Sequence, residues 1–225
     1  MFEELAKHLE KKKNRTLQYM LNAMIAFIGV LVVATLVFVM SFTFVRVCGI
    51  SMMPTLEHHS YGLAVSARRV NVDDIVIVRM PAQVVAGEVV HTHNIKRVVA
   101  LGGDTVVFQR GLRDESNYVF LYVVNEDGIP TRESGNERFD PIIAQFNNRV
   151  GDYFRIGERR VVPEGEVMVL GDNRNNSIDS RDHDFVAMER LRGRFIHGFY
   201  PQSFSERFMV FLFRMQPCTA VRCRR

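Results

Sequence analysis

The sequence predicts a mainly β protein, an antiparallel β-sheet domain behind one N-terminal transmembrane α-helix. Three observations carry this expectation. The 30 residues from Thr16 to Val45 hold no formal charge. Past them, helical periodicity gives way to short β-branched runs, and clusters of turn formers separate many of those runs.

The anchor comes first in the chain. Ala23 to Met40 contains a single polar residue, Thr35. At ~1.5 Å rise per residue, ~20 residues already span the ~30 Å hydrocarbon layer. A soluble helix needs one apolar stripe, not apolar residues on every face. A cleaved signal peptide is the alternative, because Lys11, Lys12, Lys13 and Arg15 precede the run. Such a peptide has an apolar core of only ~7–15 residues and closes on small residues. This run is longer and closes on Phe42, Phe44 and Val45, so residues 16–45 read as a permanent anchor. Lys7 joins the basic cluster before the span, and only Arg46 follows it closely. That asymmetry predicts a cytoplasmic tail at residues 1–15 and an outer domain from residue 46 onward. Met1 to Lys13 suits a short charged helix at the membrane surface.

The expected strands are Ile75 to Val78, Asn94 to Val99, Thr105 to Phe108, Tyr118 to Val124 and Val167 to Leu170. Asn71 with Asp73-Asp74, Gly102-Gly103-Asp104, Asp127-Gly128 and Pro163-Glu164-Gly165 supply turns. Residues 46–110 and 161–200 read as two parts of one core. Residues 111–160 are more polar and less regular, with Glu133-Ser134-Gly135-Asn136 at their centre, and read as an inserted subdomain that tunes stability or access without catalytic groups. In the tail, 201–225, the apolar patch Phe208 to Phe213 is too short to span a bilayer. Packing on the core is its preferred reading over contact with the membrane.

Net charge is +4, from 29 basic and 25 acidic residues, which suits an anionic membrane surface. No zinc-finger spacing, basic helix or aromatic RNA-binding motif is present, so no nucleic-acid partner is expected. The three cysteines, Cys48, Cys218 and Cys223, are too few for a disulfide framework. Cys218 and Cys223 could pair in an oxidising compartment or stay as free thiols. Cys48 has no Cys–His motif around it. His91 and His93 would share a strand face, with His58-His59 and His183 elsewhere, but no third ligand has suitable spacing. Neither a metal nor another cofactor is expected.

Three stretches carry chemistry. Ser51-Met52-Met53-Pro54-Thr55-Leu56 places a serine beside a proline that biases Met53 to extended backbone. On a strand over 94–99, Lys96 shares a face with Asn94 and Val98. By spacing alone that lysine would snorkel to solvent. Gly171-Asp172-Asn173-Arg174-Asn175-Asn176-Ser177-Ile178-Asp179-Ser180-Arg181 follows an apolar run, and a polar surface loop is its plain reading. In extended backbone, however, Ser177, Asp179 and Arg181 would all face one way.

In this order behind an anchor, the three stretches resemble the bacterial type I signal peptidase family, the Ser–Lys leader peptidases. The resemblance covers roughly residues 11–110 and 161–200. Asp74 to Val78 looks like the family's short strand motif between nucleophile and base. The resemblance implies that Ser51 is the nucleophile, with its backbone N–H donating to the oxyanion, and that Lys96 is the general base. Ser177 would orient the amine, and Asp179 with Arg181 would form a supporting ion pair. It also implies a membrane-bound serine endopeptidase in the bacterial cytoplasmic membrane. Its partners would be the bilayer and the signal peptides of exported preproteins, bound extended with small side chains one and three residues before the cut. A pilin-processing peptidase of the same class is the nearer alternative. A catalytically silent binding homologue is the farther one, and the retained Ser51, Lys96, Ser177, Asp179 and Arg181 argue against it. Ser–Lys repressor autoproteases share the chemistry but carry a DNA-binding motif where this chain has an anchor.

A lysine of ordinary pKa, ~10.4, is almost wholly protonated at neutral pH, so a base role requires apolar burial. Val98 and Val99, and the membrane just upstream of Ser51, are the expected sources of it. Three departures from the family pattern stand out. Gly49 occupies a position where some members carry a hydroxyl. Leu101-Gly102-Gly103-Asp104 replaces Leu-Pro-Gly-Asp. Asp184 replaces a glycine before Phe185.

Overall fold

The computed structural model describes residues 1–80, 83–85, 88–90, 93–111, 117–124, 130–133, 142–143 and 149–199. The chain divides into two units, Met1–Phe42 and Thr43–Arg225. The first is a single helix, α1 (Phe2–Ser41). From Arg15 to Ser41 every side chain is exposed, and an 18-residue window within the stretch reaches mean hydropathy 2.8. Apolar residues on all faces with no protein to cover them meet the length and composition required to cross a bilayer. The helix stops at Ser41, short of the expected anchor boundary at 45. There the chain turns extended at Phe42, and Thr43-Phe44-Val45 enters a strand. β-Branched and aromatic residues favour that ladder.

The second unit is antiparallel β, as expected. In chain order the strands are β1 (Thr43–Arg46), β2 (Tyr61–Val65), β3 (Ile75–Arg79), β4 (Gln83–Val85), β5 (Glu88–Val90), β6 (His93–Leu101), β7 (Thr105–Arg110) and β8 (Tyr118–Val124). They continue as β9 (Pro130–Arg132), β10 (Ile142–Ile143), β11 (Arg149–Val150), β12 (Phe154–Arg155), β13 (Arg159–Val161), β14 (Glu166–Leu170), β15 (Val186–Ala187) and β16 (Leu191–Phe199). A four-residue helix, α2 (Ser180–His183), lies between β14 and β15. The main sheet runs β1-β2-β16-β3-β6-β14-β15, and a second runs β10-β8-β7-β13 with β9 beside β8. β4 with β5 and β11 with β12 form separate two-stranded pairs.

β6 is the element that joins core and site. Its C-terminal half sends Val99 and Ala100 into a cluster with Val106 and Phe108 of β7, Val119 and Leu121 of β8, and Met168 and Leu170 of β14. The strand β8, from the 111–160 segment, thus contributes to the same apolar core as the flanking strands. Each such side chain contributes ~1.5–3 kcal/mol on burial. The β6–β7 turn closes on Asp104, whose carboxylate accepts from Leu101 N–H at 2.8 Å, with Gly103 at φ +91°. A Cβ at Gly102 would lie 2.9 Å from the Pro163 carbonyl, which accounts for glycine where the family pattern has proline.

Cys48 is disulfide-bonded, a role the sequence reading did not assign. Cys218 and Cys223, the Phe208 to Phe213 patch, Asp127-Gly128 and His91 all lie outside the described residues.

Candidate active site

Ser51 sits in a loop held by its own backbone and by buried apolar side chains. Val47 N–H donates to Ser60 O at 2.8 Å and His59 N–H to Val47 O at 3.0 Å, closing the loop at its base. Within it, Met53 N–H reaches Ile50 O at 3.2 Å and Leu56 N–H reaches Met52 O at 2.9 Å. Met52 and Leu56 pack with Val47 and Phe195, while Ile50 and Met53 stay exposed and Ser51 lies between the two classes. Gly49 has φ +98° and donates its N–H to His58 Nδ1 at 2.9 Å. A side chain there would be strained, so the missing family hydroxyl has a backbone cause.

Lys96 does not snorkel: it is 2% exposed. Its ladder partner on β3 is Val76, and its same-face neighbour on β6 is Val98, both fully buried. Burial disfavours the ammonium and brings the pKa from 10.5 down to about 8, against the opposing pull of Asp179 and with the help of Arg181. Lys96 Nζ donates to Ser177 Oγ at 3.0 Å. Val98 and Val76 of β3 supply the apolar surroundings, whereas Val99, also expected there, packs in the cluster with β7 and β8.

The third stretch departs from the extended, period-two backbone expected for it. Asp179 caps α2 in a capping box with Asp182, so Arg181 lies on a helical turn. The sequence carries a signal for this, a carboxylate followed three residues later by another. The side chains still converge. Arg181 Nε and Nη2 each meet Asp179 at 2.8 Å, and Gly171 N–H donates to Asp179 Oδ2 at 3.0 Å. Burial alone would push the Asp179 carboxyl up, but the Arg181 guanidinium, the Gly171 amide and the Ser177 hydroxyl together hold it below its ordinary range. The result is a relay from Lys96 through Ser177 to a charge-balanced carboxylate. Gly171 makes it possible, because a Cβ there would overlap Ser177 Oγ and lie 2.6 Å from Ser51 O.

Several residues were quoted in the motifs without a role. Arg97 Nε and Nη2 bind both oxygens of Asp172 at 2.8 and 2.7 Å, fixing β6 to the start of the loop. Asn173 N–H donates to Ser51 O at 3.0 Å, and its side-chain amide to Ile50 O at 3.1 Å. Arg174 binds both oxygens of Glu133 at 2.5 and 2.6 Å, with both side chains 1% exposed. Glu133 comes from the segment to which no site group was assigned.

At the far end of the loop, Asp184 has φ +66° and ψ −168°, a region that glycine favours. Arg160 covers the Phe154 and Phe185 rings and donates to Asp184 Oδ2 at 3.1 Å. Its Nη2 is 2.9 Å from Oδ1 but out of line for a hydrogen bond, so that contact is ionic only. An arginine–aspartate pair thus accompanies the third departure from the family pattern.

Comparison with known proteins meets the same residues. The family described as "Signal peptidase, peptidase S26" matches residues 20–200, which include all three motif stretches. A probable signal peptidase I-1 of Synechocystis is 31% identical over 68% of this chain and 68% of its own length. A signal peptidase I of Bacillus caldolyticus is 29% identical over 78% of this chain and 88% of its own. The chloroplastic thylakoidal processing peptidase 1 of Arabidopsis thaliana is 31% identical, and this chain spans 40% of its length. A solved signal peptidase I of Enterococcus faecalis aligns with 58% of this chain and all of that one, at 21% identity and a TM-score of 0.33. With its motifs inside a match that runs from the apolar helix to the end of β16, this chain belongs to the signal peptidase family, peptidase S26.

Proposed function

We propose that this chain is a membrane-bound serine endopeptidase that removes N-terminal signal peptides from exported preproteins, with Ser51 as nucleophile and Lys96 as general base. One observation carries the reading: a buried lysine of pKa about 8, hydrogen-bonded to Ser177, on the strand facing the loop that also holds Ser51. At pH 7 roughly a tenth of such lysines are neutral, against roughly one in three thousand at a pKa of 10.5. Ser51 Oγ attacks the scissile carbonyl carbon and passes its proton to Lys96. The C–N bond breaks as the leaving amine takes that proton. Water, deprotonated by Lys96, then attacks the ester, and Lys96 returns that proton to Ser51 Oγ as the acyl C–O bond breaks. The Ser51 N–H is the proposed oxyanion donor. Ser177 orients the amine, and Asp179 with Arg181 fixes Ser177. The chemistry calls for no metal or organic cofactor.

Substrate binding has a supporting feature in the sheet. β14 pairs with β6 from Arg97 to Leu101, whereas β3 pairs with it from His93 to Arg97. The stretch Asn94–Lys96 thus has its described ladder on the β3 side, and an extended peptide could add on the other. The names of the relatives, signal peptidase I and thylakoidal processing peptidase, support a preprotein substrate. The basic cluster in the N-terminal part of α1, ahead of its uncharged run, supports a cytoplasmic N-terminus, with the β unit on the outer side of a bacterial cytoplasmic membrane.

The test uses the purified full chain and a preprotein with small residues one and three before the cut. Ser51→Ala should retain its fold and lose at least ~10³-fold in cleavage rate. A folded Ser51→Ala protein that cleaves at the wild-type rate would exclude the reading.

A further inference from the structure

We infer that Glu133 is a positioning residue for cleavage: through its buried ion pair with Arg174 it fixes the loop that spaces Ser51 from Lys96. The inference rests on the Ser51–Lys96 reading and adds to it a residue from outside the motifs. The loop has two anchor points on the site. At Asn173 its backbone and side chain hold Ser51 O and Ile50 O, and at Ser177 its hydroxyl holds Lys96 Nζ. Arg174 lies between these anchors with its side chain directed away from solvent. Its Nε donates to Gly171 O at 3.1 Å, and its own carbonyl accepts from Arg181 Nη1 at 2.6 Å. Arg174 therefore joins the start of the loop, through its guanidinium, to the Asp179–Arg181 pair at its end, through its backbone carbonyl.

Glu133 fixes that guanidinium in turn. It meets Arg174 through two parallel N–H···O bonds, the geometry that constrains direction as well as distance. Its backbone N–H donates to Leu121 O at 3.1 Å, which ties the carboxylate to β8 and so to the apolar core. Neither partner can move out alone without leaving a bare buried charge. The carboxylate also favours the charged state of both Arg97 and Arg181. A loop free to shift by ~1 Å would misplace Ser177 against Lys96, and displacements of that size cost about 100-fold in rate.

The experiment compares wild type, Glu133→Gln and the paired apolar variant Glu133→Met with Arg174→Met, each as full chain. It measures kcat, KM and the pH–rate midpoint on one preprotein, together with the thermal transition. Replacing a buried ion pair by apolar residues commonly preserves folding. The paired variant should fold, lose about 100-fold in kcat with KM changed less than about threefold, and show a midpoint above the wild type as water reaches Lys96. Glu133→Gln, which keeps the shape and one acceptor, should lose about tenfold in kcat. A folded paired variant with wild-type kcat and midpoint overturns the inference. Should that variant not fold, a folded Glu133→Gln protein with wild-type kcat and midpoint overturns it equally. Ser51→Ala runs alongside: its retained activity would sink the dyad reading, whereas an inert Ser51→Ala beside an unaffected Glu133→Gln sinks only the positioning role.

Discussion

Lys96 and the arginines around it are cations, buried or half-buried, under opposite regimes. Arg97, Arg174 and Arg181 each meet a carboxylate with two nitrogens, at Asp172, Glu133 and Asp179. Lys96, on the next residue to Arg97, meets a hydroxyl at 3.0 Å with Val76 and Val98 beside it. Carboxylates keep the guanidinium charges in place, whereas apolar neighbours and a neutral acceptor let the amine lose its charge. One short loop supplies partners of both kinds. The arginine pairs make that loop rigid, and the rigid loop presents Ser177 to a lysine that must stay dry. Under the proposed dyad, rigidity at one region serves proton transfer at the other.

The contrast breaks most sharply if Lys96 is given an arginine's behaviour. Lys96→Arg keeps a cation but cannot give up its proton, since guanidinium stays charged above pH ~12. Cleavage of preprotein should fall by about 10³-fold or more, equivalent to ~4 kcal/mol of barrier, in a protein whose circular dichroism is unchanged.

Stability sharpens the same contrast. Below pH 8 the folded state holds a charged amine in an apolar site, and that penalty is fully present. Between pH 8 and 10.5 the unfolded chain binds a proton that the folded chain does not, so folding stability rises with pH across this window. The amplitude is on the order of 3 kcal/mol. Lys96→Met should be more stable than wild type near pH 7, and the gap should close as pH passes 10. Denaturant unfolding at several pH values measures it.

The smallest effect belongs to Asp184. Its backbone lies where a non-glycine residue costs ~1–3 kcal/mol. The partly exposed pair with Arg160 contributes only ~0–1 kcal/mol. After glycine's own ~0.5–1 kcal/mol of extra backbone entropy is deducted, Asp184→Gly should be neutral to about 2 kcal/mol stabilising, with cleavage unchanged. A melting temperature lowered by several degrees would show that the Arg160 contact outweighs the strain.

Local signals made much of this legible. The uncharged run announced α1, and β-branched runs between turn formers announced β3, β6, β7, β8 and β14. Ser51, Lys96, Ser177, Asp179 and Arg181 are singled out by their resemblance to the family's motifs, and the structure joins Lys96 to Ser177 and Asp179 to Arg181. What joins them was not. Lys96 and Ser177 are 81 positions apart, Arg97 and Asp172 are 75, and Glu133 and Arg174 are 41. Contacts over such separations leave no periodicity in one chain. Glu133 was hidden further by its polar, irregular surroundings, which read as an inserted subdomain without catalytic groups. The helical turn at Arg181 was hidden for another reason: two overlapping patterns, period-two alternation and a capping box, fit the same residues, and the cap prevailed because it satisfies buried amides.

The proposed dyad requires Lys96 to be neutral at the working pH. Titration of its side-chain nitrogen by NMR in the full-length Ser51→Ala protein tests this, since the proposed nucleophile is gone but the burial remains. The account predicts a midpoint at about 8. A midpoint at the ordinary lysine value, near ~10.4, would contradict it and leave Ser51 without a base.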